Sequence, residues 1–392
     1  MYTHKLKLFL TIFCSTLILV SCSPPLQSAI FRGDLQHTGL YATSPLTKFH
    51  AVEWIFKATS PVKSSPVLAN GLVYFGSDDG MLYAIDQANG ELEWQFKTSK
   101  KITSTPAVDK GVLYFVDGDG KLYALNALDG RKKWAFATGG EGDWDQWDLF
   151  QSSPAVASGK VYFGSGDGHV YAVDVLTGKL AWSYNTLEQS ETVTPYWPVH
   201  SSPAVVDGVV FVGGYCGDFY ALDAASGKLE WKYATGRPVQ SSPLVAGGLV
   251  YFGGRDADLH ALDAKTGVEK WAFKSPEASW MPSSPALWND MLYVGSSNAD
   301  TFYAINAQTG EVKWKVTTPG RSFSSPAMAG GVVYYGDATG QGEGQGHLYA
   351  LDALTGKQLW SFDVPADVFS SPVVQNGVVY FTATDGSLYA LK

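Results

Sequence analysis

The sequence predicts an all-β fold, an eight-bladed β-propeller of four-stranded antiparallel blades closed by its own N-terminal strand. Three observations predict it. A unit that opens Ser-Ser-Pro or a close variant and ends in tryptophan recurs along the chain, with starts at Pro66, Pro106, Pro154, Pro203, Pro243, Pro285, Pro326 and Pro372. Each unit holds four strand-like runs parted by Asx/Gly turns, with no helical periodicity. The last unit stops one strand short, while a spare strand stands ahead of the first. A period of 40 to 49 residues of this regularity marks a repeat architecture, and four short antiparallel strands per unit select a propeller.

Blade 1, SSPVLANGLVYFGSDDGMLYAIDQANGELEW, serves for all. The proline-led segment is the innermost strand. Gly71 turns the chain into the second, Asp79-Gly80 into the third and Asn89-Gly90 into the outer strand, because Asx-Gly pairs supply the positive φ angles of tight hairpins. Val, Tyr, Phe and Trp fill the runs, as a pleated, half-buried surface favours. Closure fixes the blade count. The eighth unit ends just after Tyr389-Ala390-Leu391, and Val52–Phe56 reads as the missing outer strand. Trp54 precedes Pro66 by 12 residues, the interval that separates Trp94 from Pro106 and Trp231 from Pro243. Pairing these two ends removes two exposed sheet edges.

The run Ala84-x-Asp86-x-x-x-Gly90-x-x-x-Trp94 resembles the tryptophan-docking motif of the quinoprotein-type, or PQQ-like, propeller family. It recurs at Ala172 to Trp182, Ala221 to Trp231, Ala261 to Trp271 and Ala350 to Trp360, with Asn126 and Asn306 replacing Asp in the other two copies. The resemblance covers residues 52–392 and implies that Trp54, Trp94, Trp134, Trp182, Trp231, Trp271, Trp314 and Trp360 staple neighbouring blades and bind no ligand. In plan the chain is similar to the BamB-type outer-membrane assembly lipoproteins, which implies a scaffold that contacts protein partners.

Residues 1–21 read as an export leader: Lys5 and Lys7 precede a 13-residue apolar run, Leu8 to Val20, which is short for a membrane span. Leu19-Val20-Ser21-Cys22 resembles the bacterial lipoprotein cleavage box, implying lipid attachment at Cys22. Ser23 after it points to the outer membrane. Residues 22–51 form a tether and N-terminal segment, expected to pack against the ring. Its Arg32-Gly33-Asp34 tripeptide matches an integrin ligand, but three residues recur by chance. The chain has three cysteines, Cys14, Cys22 and Cys216, so the exported form keeps a lone thiol at Cys216, with no disulfide framework and no cysteine-based haem or zinc site. A formal net charge of −9 argues against nucleic acid or anionic lipid surfaces as partners.

Function is expected where the repeat is broken. The interval from tryptophan to the next proline grows from 12 to 20 between Trp134 and Pro154, 21 between Trp182 and Pro203 and 14 between Trp271 and Pro285, and blade 7 carries a glycine-rich insertion near residues 339–346. Links between blades and turns between second and third strands open on the same face, so the irregularities gather there. They carry Trp144, Trp147, Tyr196, Trp197 and Trp280, with Tyr215 and Arg255 where other blades have Ser-Asp-Gly turns. Aromatic residues beside charges make partner anchors, and they also suit stacking on a glycan.

A PQQ- and calcium-dependent oxidoreductase is the third reading, and the residues give it little support. The Asp117-Gly118-Asp119-Gly120 run sits where a blade already needs a hairpin, and no spacing commits Asp143, Asp145 and Asp148 to acid–base chemistry. The sequence therefore predicts no catalytic residue, no metal and no cofactor. It predicts a non-enzymatic, lipid-anchored scaffold of the cell envelope offering one loop-rich face to a protein partner.

Overall fold

The computed structural model describes residues 28–140, 151–189, 197–339 and 344–392. Eight four-stranded antiparallel sheets follow one another, each ordered from a three-residue innermost strand to an outer strand. In blade 1 these strands are Val67–Ala69, Leu72–Gly76, Met81–Asp86 and Leu92–Lys97. The second and third strands are sandwiched between neighbouring blades, which is why they read as continuous apolar runs. Outer strands face solvent on one side and alternate instead.

The N-terminal strand Val52–Lys57 completes blade 8, pairing with Ser387–Leu391. Trp54 lies opposite Ala390 as Trp94 lies opposite Ala84.

The docking tryptophans share one geometry. Each indole Nε1 donates to a backbone carbonyl of the next blade: Trp54 to Gln87, Trp94 to Ala127, Trp134 to Val175, Trp182 to Ala224, Trp231 to Ala264, Trp271 to Ala307 and Trp314 to Ala353, at 3.0–3.2 Å. The motif glycine lies flat on that indole. A Cβ at Gly227 would stand 2.6 Å from the Trp182 ring, and the φ of +74° there independently favours glycine. Trp360 has no such turn ahead of it, because blade 8 is made from both chain ends. Its Nε1 donates instead to the Leu46 carbonyl (2.8 Å), and Phe49 packs against its ring.

The Ser-Ser-Pro motif builds the axis. The second hydroxyl of one blade accepts from the corresponding backbone amide of the blade before it: Ser65 N–H to Thr105, Thr105 to Ser153, Ser153 to Ser202, Ser202 to Ser242, Ser242 to Ser284, Ser284 to Ser325 and, across the seam, Ser371 to Ser65. The first serine works within or between blades. Ser64 Oγ, for example, both donates to the Gly76 carbonyl and accepts from its amide.

Residues 29–46 lie as a strap over the face that carries the hairpins between first and second strands. Strap carbonyls accept from inner-strand amides of several blades: Ala29 from Val108, Leu35 from Val205, Gln36 from Val245, Thr38 from Leu287 and Gly39 from Met328. Arg32 is not displayed as a ligand. It is 3% exposed and donates to the carbonyls of Pro285 (2.6 Å) and Pro326 (2.7 Å). Burial holds its guanidinium pKa down to about 10. His37, equally buried, is held neutral, with its pKa lowered to about 3 by burial and then by Arg32, while its ring bonds the Pro243 carbonyl.

Candidate partner-binding face

The opposite face carries the links between blades and the turns between second and third strands, and backbone bonds lock the two together. Asp78 N–H donates to Pro61, Tyr215 to Pro198, Arg255 to Pro238 and Ser297 to Trp280. Asp78, Tyr215 and Arg255 thus occupy one repeat position, set against the link that leads into their own blade.

A second set of equivalent positions rings the channel mouth, namely the residue just before each Ser-Ser pair. Around the axis these are Lys63, Thr103, Gln151, His200, Gln240, Pro282, Phe323 and Phe369. All but Lys63 line the central cavity together with the eight inner hydroxyls, and Phe31 of the strap lines it too. In blade 1 the two positions hold an ion pair, Lys63 with Asp78 at 2.7 Å. In blades 4 and 5 they hold a different device. The Arg255 guanidinium stacks on Tyr215 (5.0 Å to the ring centroid) and on Trp280 (4.8 Å). Its Nη2 donates to the Tyr215 hydroxyl at 2.8 Å and its Nε to Gln240 Oε1 at 2.9 Å, while the Gln240 amide donates to the same hydroxyl. His200 meets Tyr215 edge-on at 6.2 Å. The result is a preorganised cationic and aromatic cluster beside the mouth, in which Tyr215 is buried rather than displayed and Arg255 and Trp280 are half-buried.

Of the candidate face residues, the structure brings Tyr215, Arg255 and Trp280 together. Trp197 is half-buried and packs against the core of blades 3 and 4, which includes Val199, Cys216 and Tyr220. Trp144, Trp147 and Tyr196 lie outside the described residues, as do residues 340–343 of the blade 7 insertion. Gln240, which ties the patch together, escaped the reading of the sequence. Its signal was the residue ahead of Ser-Ser, which changes from blade to blade while the serines hardly change. Cys216 is buried 3.0 Å from the Tyr220 hydroxyl, and burial raises its thiol pKa.

The sequence model of the family described as outer membrane protein assembly factor BamB matches residues 50–197, 194–287, 277–343 and 336–392. The chain belongs to this family. Among solved structures, BamB from Moraxella catarrhalis is 20% identical at a TM-score of 0.68, covering 87% of this chain and 99% of that one. Quinohemoprotein alcohol dehydrogenase from Comamonas testosteroni is 16% identical at 0.73, covering 92% and 80%. A europium-containing methanol dehydrogenase is 14% identical at 0.73, covering 96% and 99%. At these identities the likeness is one of fold. A search of curated protein sequences gave no match.

The dehydrogenase neighbours raise the question of whether a quinone with its cation fits here. Among the described residues, the lining of the central cavity offers hydroxyls, amides, one imidazole, one proline and three phenylalanines, but no carboxylate. A calcium ion is held chiefly by carboxylates together with carbonyl oxygens, so a lining without a carboxylate does not fit such a pair.

Proposed function

We propose that the protein is a non-enzymatic scaffold of the cell envelope, tethered to the outer membrane by lipid on Cys22, and that its loop-bearing face docks a protein partner in outer-membrane protein assembly. The observation that carries this reading is the patch of Arg255 between Tyr215 and Trp280. It adjoins a channel mouth on the loop-bearing face, while the chain's own strap covers the other. Family membership supports the assembly role, and arginine with tyrosine and tryptophan is the composition of interface hot spots. Among the described residues no helix is long and apolar enough to cross a membrane. Ser28 bonds Asp109 on the strap side. Six residues span at most about 20 Å, so a lipid on Cys22 anchors the strap side and leaves the loop face turned away from the bilayer.

The test is crosslinked pull-down from envelopes. Arg255→Ala with Trp280→Ala, and separately Trp144→Ala with Trp147→Ala and Trp197→Ala, should lose the main partner while circular dichroism and melting stay those of the folded ring. A folded variant set that keeps every partner sinks the assignment of the face. Mass spectrometry of the mature N-terminus checks the lipid, which Cys22→Ser should abolish.

A further inference from the structure

Blade 5 departs from the repeat at its third-strand tyrosine, and two further side chains converge on that spot. The third-strand tyrosine that other blades carry (Tyr83, Tyr123, Tyr171, Tyr220, Tyr303, Tyr349 and Tyr389) is His260. The outer-strand position held by Leu92, Leu180, Leu229 and Val312 in blades 1, 3, 4 and 6 is Glu269, and the variable first position of the third strand is Asp258, as it is Asp218 in blade 4. In a regular blade the tyrosine hydroxyl simply donates to the turn carboxylate, as Tyr83 does to Asp79 at 2.7 Å. In blade 5 the imidazole takes over that bond, with Nε2 2.7 Å from Asp256 Oδ2. Asp258 and His260 stand at alternate positions of one strand and so share a face. One ligand atom each from Asp256, Asp258 and His260 lies within 4.8 Å of the others.

The other side of the ring is equally specific. Nδ1 lies 3.0 Å from Glu269 Oε2, and Glu269 in turn accepts from the Tyr233 hydroxyl of blade 4. A carboxylate on one imidazole nitrogen is the arrangement that fixes tautomer and aim when the other nitrogen binds metal. His260 is 4% exposed, so its ring cannot swing away. Three carboxylates, Asp256, Asp258 and Glu269, surround the imidazole, and Lys274 is the other cation acting on Asp258.

We infer that Asp256, Asp258 and His260 Nε2 form a binding site for a divalent transition-metal ion, with Glu269 orienting the imidazole through Nδ1. One nitrogen and two carboxylates suit zinc among the available ions, and the nitrogen disfavours calcium. Binding balances by release of the Nε2 proton to solvent as the metal–nitrogen bond forms, so affinity falls as pH falls.

The site is independent of the partner-docking proposal and is tested apart from it. Zinc chloride is titrated into the full chain by calorimetry and by thermal melting, with calcium chloride as the control. One zinc per chain at micromolar affinity is expected, with a rise in Tm of several degrees and no response to calcium. His260→Tyr restores the residue used in other blades and so keeps the fold, which its melting without metal verifies. It should abolish the zinc response, and Asp258→Asn should weaken binding at least tenfold. Zinc binding that is unchanged in His260→Tyr overturns the site, as does a wild-type chain that takes up no zinc. In the latter case the histidine is a protonated strut between Asp256 and Glu269.

Discussion

The joint between blades 3 and 4 and the joint that seals the ring are alike in geometry and unlike in covalent make-up. In the first, Trp182 donates to Ala224 and lies on Gly227, both within a single turn of blade 4. In the second, Trp360 donates to Leu46, more than three hundred residues earlier, and Phe49 stands beside its ring. Backbone bonds between Ala51 and Lys392 join the two chain ends next to it. The difference shows that a carbonyl and a surface for the indole make the dock, and that the Asp-x-x-x-Gly turn is only the usual way to supply them.

The largest test is to empty each dock. Trp182→Ala should cost about 3–5 kcal/mol in denaturant unfolding, as for other buried large-to-small changes. Trp360→Ala should cost a similar amount and, unlike Trp182→Ala, release hydrogen-exchange protection from Val52–Lys57. If Trp360→Ala is silent, the two joints are not equivalent.

A smaller effect is expected at Arg32, whose side chain holds the strap to blades 6 and 7. Arg32→Met keeps the stem but strips two carbonyls of their donor. A loss of about 1–3 kcal/mol follows from leaving such groups unsatisfied. Exchange protection should fall in residues 29–46 and persist in the blades, whereas loss across the whole ring would show that the strap is integral to the seam.

The smallest effect is a slope. His37 has a folded pKa of about 3 against the ordinary value of 6.5. Its contribution is therefore full above pH 6.5 and is lost as pH falls from 6.5 toward 3, because only the unfolded chain takes up the proton there. One proton sets a ceiling of about 1.4 kcal/mol per pH unit. His37→Gln should flatten the stability profile across that window, and an unchanged profile would place the acid sensitivity elsewhere.

Ring, blade count and seam were legible because they rest on side-chain periodicity and on one interval, the 12 residues from Trp54 to Pro66. The strap was legible only as a segment that should pack, since its hold is through backbone carbonyls of residues such as Leu35 and Gln36, which leave no residue signature. Leu46 could have been found by counting, because eight tryptophans face seven Asx-to-Gly turns. The candidate face was half legible. Tyr215, Arg255 and Trp280 stood out as departures from the repeat, but their meeting depends on how two links fold over two turns. Gln240 and Glu269 are unremarkable residue types whose roles come from their neighbours alone.

The pairing of Val52–Lys57 with Ser387–Leu391 also sets a timetable. The first strand of the ring to leave the ribosome finds its partner only when the last has been made, so throughout synthesis it carries an open edge. Seven blades can form in order from local contacts, but the eighth waits on a single long-range encounter, the kind of step that slows folding. A chain halted before residue 387 would be left with an unsealed gap, open to strand exchange with another copy.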